Sequence, residues 1–424
     1  MLTTLKNAWK IPDLRKRMLF TLLMLVVFRL GANIPVPGID KQVIAEMFKG
    51  EAGGLLDFMN LMAGGAFKSF TIFALNIYPY ITASIIIQLL TIAIPSLEAL
   101  AREGEEGRKK LAKYTRYGTV VLALIQAIGY SVGFFNRALI SKDFLSITIV
   151  VATLTAGTAF LMWLGEQITD KGIGNGISLI IFTGIISRVP GGIAKMINLL
   201  KIKQTNVIEI LIFLILSVLI IAGVVAIQEG QRRIPVQYAK RVVGRKMYGG
   251  QSTHIPLKVL MAGVIPVIFS TSLLAFPQTL AFFFKGGFAE WVNKYLSLSG
   301  NPGVIIYSIL NAILIIFFTY FYTAVQFNPY EYANNLKQYG GFIPGIRPGK
   351  PTAEYLNRVI SKITLVGAIT LALIAALPTI ILSTTHLNIR FGGTALLIVV
   401  GVALETMKQI EAQMLMRHYK GFLK

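Results

Sequence analysis

The chain lacks cysteine entirely over its 424 residues, which excludes a disulfide framework and thiol chemistry. Charge is also scarce: 14% of the residues are charged, whereas soluble domains carry about 25%. Hydrophobic residues make up 54% of the chain and the mean hydropathy is +0.67. These values indicate a membrane protein with several spans.

Several kinds of reactive site have no candidate residues. The chain has no G-x-x-x-x-G-K-[ST] loop, so it does not resemble a nucleotide hydrolase of that type. Its three histidines, His254, His386 and His418, are far apart and have no metal-ligand spacing. No carboxylate lies near the middle of an apolar segment, where ion-coupled transporters need one. We predict a protein that is not an enzyme, uses no cofactor and is not a coupled pump.

Ten apolar segments are long enough to span a bilayer, for which about 20 residues are typical. They are residues 18–34, 70–94, 117–135, 145–164, 173–189, 207–227, 255–284, 304–327, 363–382 and 392–407. Continuous apolar runs must be helical, because every backbone polar group has to be paired inside lipid. The predicted fold is an all-α polytopic membrane protein with ten transmembrane helices.

The distribution of basic residues predicts the orientation. With the N-terminus inside, internal segments carry 28 of the 41 Lys and Arg residues and external segments carry 12. The positive-inside rule then places both termini in the cytoplasm. We expect residues 1–17 to be a retained cytoplasmic segment rather than a cleaved signal peptide.

Ten spans divide into halves of five, and an odd number per half makes the halves run in opposite directions, as in an inverted repeat. The predicted units are residues 18–190 and 207–407, an external hinge loop at 191–206 and a cytoplasmic tail at 408–424. Residue-level similarity between the halves is not evident, so this prediction rests on topology.

Two predicted cytoplasmic loops are long and basic. Residues 229–256 alternate Val and Tyr as in a hairpin, and residues 328–362 are rich in Gly and Pro and place Arg347 at a tip. Either they are ordinary positive-inside loops, or they are docking surfaces for an acidic partner. The net charge of +22 also suits anionic lipid headgroups.

Three local features interrupt the apolar pattern. Asn76 and Pro79 break the second span, and Pro266 and Pro277 break the seventh, so we expect kinks that allow these helices to hinge. "GIGNG" at 172–176 is interpreted as a helix N-terminal turn rather than a phosphate loop. Arg29, the one charge that looks buried within a span, is expected to snorkel or to be paired.

Eight motifs in order resemble the SecY/Sec61 family, and particularly its bacterial members. They are "FRLGANIPVPGID" (28–40), "FALNIYPYITASIIIQLL" (73–90), "GIGNGISLIIF" (172–182), "EGQRRIPVQYAKR" (229–241), "QSTHIPLKV" (251–259), "MAGVIPVIF" (261–269), "FIPGIRPG" (342–349) and "FGGTALLIVV" (391–400). The resemblance implies two inverted five-helix halves around an hourglass pore in the bacterial cell membrane. It implies a channel that conducts unfolded secretory polypeptides and releases transmembrane segments sideways into lipid.

The same resemblance assigns roles to individual residues. A short plug helix at 54–66 would present Leu55, Leu56, Phe58, Met59, Leu61 and Met62. An aliphatic pore ring would consist of Ile77, Ile81, Ile177, Ile181, Ile268 and Ile398. Thr82, Gln88, Gln126 and Ser272 would line a lateral gate between spans two and three and spans seven and eight. At Leu260 the family often has asparagine, so the resemblance implies a more apolar gate there.

The resemblance also implies partners. These are the SecE and SecG subunits, the SecA motor ATPase, the ribosome, signal peptides and nascent chains, and membrane lipids, anionic ones included. The contacts expected for SecA and the ribosome are Arg232, Arg233, Lys240, Arg241, Arg245, Lys246 and Arg347. The rival interpretation is a small-solute transporter of inverted-repeat type, which needs a polar site at the membrane midplane and would make the isoleucines core packing.

Overall fold

The computed structural model describes residues 2–47, 60, 63–202, 206–238, 241–243, 246–248, 252–281, 286–296, 302–384 and 393–421. Helices dominate this part of the chain. The first group of helices is α1 (Leu2–Lys10), α2 (Pro12–Gly31), α3 (Lys41–Met47), α4 (Tyr78–Ala93), α5 (Pro95–Arg102), α6 (Glu105–Ile128), α7 (Phe144–Lys171), α8 (Gly176–Ile186) and α9 (Val189–Lys201). A π-helical turn, Gly129–Phe134, extends α6.

The remaining helices are α10 (Val207–Glu229), α11 (Ile265–Leu280), α12 (Gly287–Tyr295), α13 (Gly303–Gln326), α14 (Pro329–Gln338), α15 (Lys350–Thr384) and α16 (Gly393–Gly421). The strands are β1 (Gln231–Tyr238), β2 (Arg241–Val243), β3 (Lys246–Tyr248), β4 (Ser252–Lys258) and β5 (Gly341–Phe342). They lie between α10 and α11 and after α14, within the two predicted basic loops.

Each of the ten predicted spans overlaps a helix. By length and apolar composition, 5 helical segments of the described chain can cross a membrane, or up to 6 if α4 and α5, which meet at a bend of 101°, count as one. The 16-residue α11 is a shorter apolar helix. α2 does not meet this criterion because Arg15, Lys16 and Arg17 lie in its first two turns.

The predicted break in span two is correct, but its form is different. Residues 63–77 form turns, and α4 begins only at Tyr78. Asn76 ends the turns with a left-handed φ of +52°, a conformation that asparagine tolerates better than most residues. Pro79 lies at the start of α4, where its missing N–H costs no helical hydrogen bond. The expectation that Pro79 kinks a continuous helix was therefore wrong.

Span seven shows the same pattern. The prediction began it at residue 255, but Ile255 is in β4 and the helix starts at Ile265, with Pro266 in its first turn. Pro277 is inside α11, as expected. "GIGNG" also starts a helix: the Asn175 side chain accepts a hydrogen bond from the Ser178 N–H at 3.2 Å. The interpretation as a helix N-terminal turn is confirmed.

Two segments predicted as loops are partly helical. The external hinge at 191–206 contains most of α9, which continues to Lys201. The loop at 328–362 contains α14 and β5, and α15 already starts at Lys350. Amphipathic pieces at membrane boundaries are too polar to be counted as span and yet form helix, which explains both differences.

The hairpin predicted in the first basic loop is confirmed. β1 pairs antiparallel with β4 from Gln231↔Lys258 to Gln237↔Ser252, and β5 adds to the other edge of β1. The inward face of this sheet, with Ile234 and Val236, packs in a buried cluster with Leu356 and Ile360 of α15. The sheet is therefore held against the helices by apolar contacts.

The turns at 63–77 pack tightly on the helix bundle. A Cβ placed on Gly157 of α7 would lie 1.9 Å from the Ile72 carbonyl oxygen. Only glycine allows this backbone approach. The close packing fixes the position of Ile77, with which the turns end.

Candidate functional site

The six predicted pore isoleucines come from four elements, and five of them are buried members of one extended apolar cluster. Ile77 and Ile81 belong to the start of α4, Ile181 to α8, Ile268 to α11 and Ile398 to α16, and each is at most 5% exposed. Ile177 packs against the same cluster but is only partly buried. The cluster joins the first half of the chain to α11 and α16 of the second.

Local structure explains how these side chains are aimed. Ile77 is the residue before α4, and Ile81 follows four positions later, so both lie on one face of the helix start. Ile268 is in the first turn of α11. The starts of α4 and α11 thus contribute isoleucines to the same buried cluster.

Ile177 differs from the other five. Its Cδ1 would lie 2.6 Å from a Cβ on Gly165 of α7, so its tip is directed at the α7–α8 contact. Its proposed place in the ring remains a prediction, and its packing places it at the margin of the cluster.

The predicted gate residues lie where the two halves meet. Thr82, Gln126 and Ser272 are buried, at 5%, 7% and 3% exposure. The Ser272 hydroxyl has no hydrogen-bond partner among the described residues. Gln88 of α4 donates to the Ser84 hydroxyl at 3.3 Å and accepts a hydrogen bond from Tyr322 of α13. Gln88 therefore bonds across the junction of the halves.

Sequence reasoning missed the partners of these residues. Tyr322 was not singled out, nor was Tyr130, whose hydroxyl lies 3.5 Å from the Thr279 hydroxyl of α11. A third bond joins two helices of one half: the Ser270 hydroxyl of α11 donates to Asn311 Oδ1 of α13 at 2.6 Å. Isolated polar side chains within apolar spans were the available signal.

Leu260 does not line this junction. It is 4% exposed and packs with Val267, Ile315 and Leu371 in the core of the second half. Leu260 belongs to this core, and the effect of a leucine at this position on the gate stays a prediction.

The plug residues Leu55, Leu56, Phe58, Met59, Leu61 and Met62 lie outside the described residues. The C-terminal end of the predicted plug is described. The Asn60 side chain accepts the Lys68 N–H at 2.9 Å, and the Arg29 guanidinium donates to the Gly64 carbonyl at 3.3 Å. Gly64 itself lies against Gly184 of α8. The expectation that Arg29 is paired is met by this backbone carbonyl.

The basic residues chosen as docking contacts are partly described. Arg232 and Arg233 of β1 and Arg347 after β5 are exposed. Arg241 starts β2 and Lys246 starts β3, which pair antiparallel, while Lys240 and Arg245 lie outside the described residues. The described part of the chain holds no group of three His, Cys, Asp or Glu residues suited to a metal ion.

Known structures share this architecture. A solved structure described as "The structure of a protein conducting channel" matches with a TM-score of 0.67 at 22% identity, covering 94% of this chain and 92% of that one. Canine Sec61 in a ribosome-channel complex matches with a TM-score of 0.64 at 20% identity, covering 94% and 92%. At these identities the likeness shows a mostly helical, multi-span fold.

Sequence comparison gives the family. A family model described as SecY matches residues 71–407. Protein translocase subunits SecY of Halalkalibacterium halodurans and Streptomyces galbus are 51% and 47% identical, with full coverage of both chains in each case. These relatives are transport proteins, which confirms the prediction that the chain is not an enzyme. The chain belongs to the SecY family, as a multi-pass membrane subunit of the protein-conducting channel.

Proposed function

We propose that the isoleucine cluster is the closed constriction through which unfolded polypeptide passes. The observation that carries this proposal is the meeting of Ile77, Ile81, Ile181, Ile268 and Ile398, from four elements of both halves, in one buried cluster. The cluster contains residues of both halves, so halves that move apart there would leave a passage.

An aliphatic constriction suits this task physically. A narrow apolar waist expels water, so an ion meets a large desolvation barrier. A passing polypeptide replaces the lost contacts with its own atoms, because dispersion contacts are non-directional. A ring of hydrogen-bonding groups would instead hold the substrate and conduct ions.

The junction of α4 and α6 with α11 and α13 is the proposed lateral gate. Support comes from Gln88, which bonds to Tyr322 across it, and from the buried Thr82, Gln126 and Ser272 beside it. Separation of the halves would expose these polar groups to the passage and open a path into lipid. The free energy of moving an apolar segment into lipid would then be about −0.3 to −0.6 kcal/mol for each Leu, Ile, Phe or Val at the helix centre.

Residues 54–66 are proposed as the plug that covers the constriction. Support comes from their apolar sequence and from the anchored end at Gly64. One solved relative, with a TM-score of 0.66, is described by the statement that "The plug domain of the SecY protein stablizes the closed state of the translocation channel and maintains a membrane seal".

The basic sheet and Arg347 are proposed to face the cytoplasm, with both termini, and to receive the ribosome and SecA. Two solved relatives are ribosome-bound channels, of canine Sec61 and of the yeast Ssh1 complex. Exposed Arg232, Arg233 and Arg347 would attract ribosomal RNA phosphate by counterion release. SecE and SecG remain expected partners. SecE would clamp the two halves, which the hinge at 191–206 joins.

Cross-linking tests the constriction. A photoreactive residue at position 81 should cross-link to a stalled secretory chain, while one at Ile309, which faces outward on α13, should not. The absence of native cysteine allows thiol probes to be used at the same positions. A small-solute transporter would give no cross-link at either position, and that result would refute the proposal.

A salt titration tests the docking surface. Ribosome affinity should fall as salt rises, and Arg347→Glu should lower both the affinity and the salt slope. Lys294→Glu, the same change of charge on α12 and outside the basic sheet, is the matched control. An affinity that does not depend on salt would contradict the electrostatic account.

A further inference from the structure

The short helix α12 has one face fixed to the gate helices. Val292 and Leu296 are 1% and 5% exposed and pack with Leu274 of α11 and Tyr307 of α13. The Gln278 side-chain amide of α11 also donates to the Leu296 carbonyl. α12 is therefore held to α11 by apolar contacts and by a polar one.

The other side of α12 presents large aromatic side chains. Phe288 is 44% exposed and Trp291 is 52% exposed. The Trp291 and Tyr295 rings lie 5.6 Å apart, and Lys294 Nζ is 5.3 Å from the centre of the Tyr295 ring. Phe288, Trp291 and Tyr295 follow helical spacing, so they share one side of the helix. We call these three residues, together with Lys294, the aromatic face.

The position of α12 along the membrane normal follows from its tethers. α11 starts just after β4 and ends at Leu280, so its end is opposite the basic sheet. α13 starts at Gly303 and runs back toward the side of the basic sheet, which β5 joins after α14. α12 lies between these two ends, where the chain leaves the hydrocarbon. Amphipathic Trp and Tyr side chains with a snorkelling Lys are the residues that favour this interfacial depth.

We propose that the aromatic face of α12 docks into the headgroup and glycerol region of the leaflet opposite the basic sheet, and so holds the end of α11 at a fixed depth. Phospholipid is the occupant that the composition fits: the rings are amphipathic, and Lys294 can reach lipid phosphate. The docking itself is independent of the proposed gate, and only its effect on α11 rests on that function.

Trp291 can report the docking directly. The chain has three tryptophans, so the variant Trp9→Phe/Trp163→Phe leaves Trp291 alone. The purified chain in its translocase complex is reconstituted into phosphatidylglycerol and phosphatidylcholine vesicles brominated near the headgroup, at mid-chain or near the chain end. The tryptophans of the other subunits in the complex are also replaced by phenylalanine. The matched control, Trp9→Phe/Trp291→Phe, keeps Trp163 on the exposed side of α7 and verifies reconstitution.

The proposal expects Trp291 emission to be quenched most by the shallowest bromines, with little quenching by iodide in the water. Strong iodide quenching without bromine quenching would place the face in water and overturn the proposal. Protection from both quenchers would mean a protein partner or a second copy covers it, and strongest quenching by the deepest bromines would put α12 inside the hydrocarbon. Either result also overturns it.

A second variant tests the effect on α11. Trp291→Ser leaves Phe288 and the buried Val292 and Leu296 in place, so α12 remains packed. Cross-linking between cysteines introduced on α4 and α11 should become faster, whereas Glu290→Gln, on the same helix, should leave the rate unchanged. Shallow quenching with an unchanged rate would support docking and refute the depth-holding role.

Discussion

The isoleucine cluster and the junction that we propose as the gate both join the two halves, but they use opposite kinds of contact. The cluster is made of branched hydrocarbon from four elements, and its energy depends on area rather than direction. The junction contains directed bonds, Tyr322 to Gln88 and Tyr130 with Thr279. A seal must tolerate any passing side chain, whereas a gate must return to one register, and each contact type suits one of these tasks.

The largest expected effect comes from a polar group in the cluster. Ile81→Asn or Ile398→Asn leaves an amide unpaired in the closed state, which costs about 1–3 kcal/mol, or roughly 5- to 150-fold in the closed-to-open ratio. Reporter proteins with defective signal sequences should be exported and ion leakage should rise. Ile81→Leu, which conserves volume, should behave almost as the parent. Unchanged export in both asparagine variants would contradict the proposed seal.

A smaller effect is expected for the hydrogen bond between Ser270 of α11 and Asn311 of α13, which lies within the second half. Asn311→Ala removes the side-chain acceptor of the Ser270 hydroxyl and leaves the Asn311 carbonyl, at 3.1 Å, as its second acceptor. Bonds of this kind in membranes contribute up to about 1.7 kcal/mol. Thermal unfolding in detergent should shift downward while the α4–α11 cross-linking rate stays constant. Thr370→Ala, which loses a hydroxyl bonded only within α15, is the control. Faster cross-linking in Asn311→Ala would show that the halves do not move as units.

Across the junction, Tyr322→Phe removes one hydroxyl that bonds to Gln88. Interhelical bonds in membranes average about 0.6 kcal/mol, so opening should become roughly threefold easier. Here cross-linking between α4 and α11 should accelerate without a change in thermal stability, the reverse of Asn311→Ala. A double-mutant cycle with Gln88→Leu should show coupling, and strict additivity would refute the bond's role.

The smallest effect is expected for Thr279→Val. Its hydroxyl lies 3.5 Å from that of Tyr130, at the limit for a hydrogen bond, and it already donates to the Ala275 carbonyl of its own helix. Cross-linking should change by less than about twofold. A change as large as that of Tyr322→Phe would place the main contact of the junction at Tyr130 instead.

Sequence reasoning found the features that depend on composition and spacing. Apolar runs predicted the helices. The four-residue spacing of Ile77 and Ile81 made a shared face possible, and both residues are buried in the same cluster. It did not predict that α4 starts at Tyr78, because a left-handed Asn76 depends on tertiary packing of the turns on α7. Proline was interpreted as a helix breaker, although at a first turn it favours a start.

Partners of polar residues were beyond the sequence for a related reason. Gln88 could be singled out as polar in an apolar span, but its bond to Tyr322 joins residues 234 positions apart, and no local pattern encodes such a distance. Leu260 shows the converse, since its place in the core of the second half is set by the packing of several helices.

The hydrogen bond from Arg29 to the Gly64 carbonyl has a consequence for how the channel would close again. Gly64 and Gly65 both have left-handed φ angles, +62° and +95°, and the Gly65 N–H donates to the Asn60 carbonyl at 2.9 Å, so the end of the proposed plug is attached to the chain's own helices. A plug attached in this way would reseal the pore as a first-order process, at a rate that does not depend on how many channels the membrane contains.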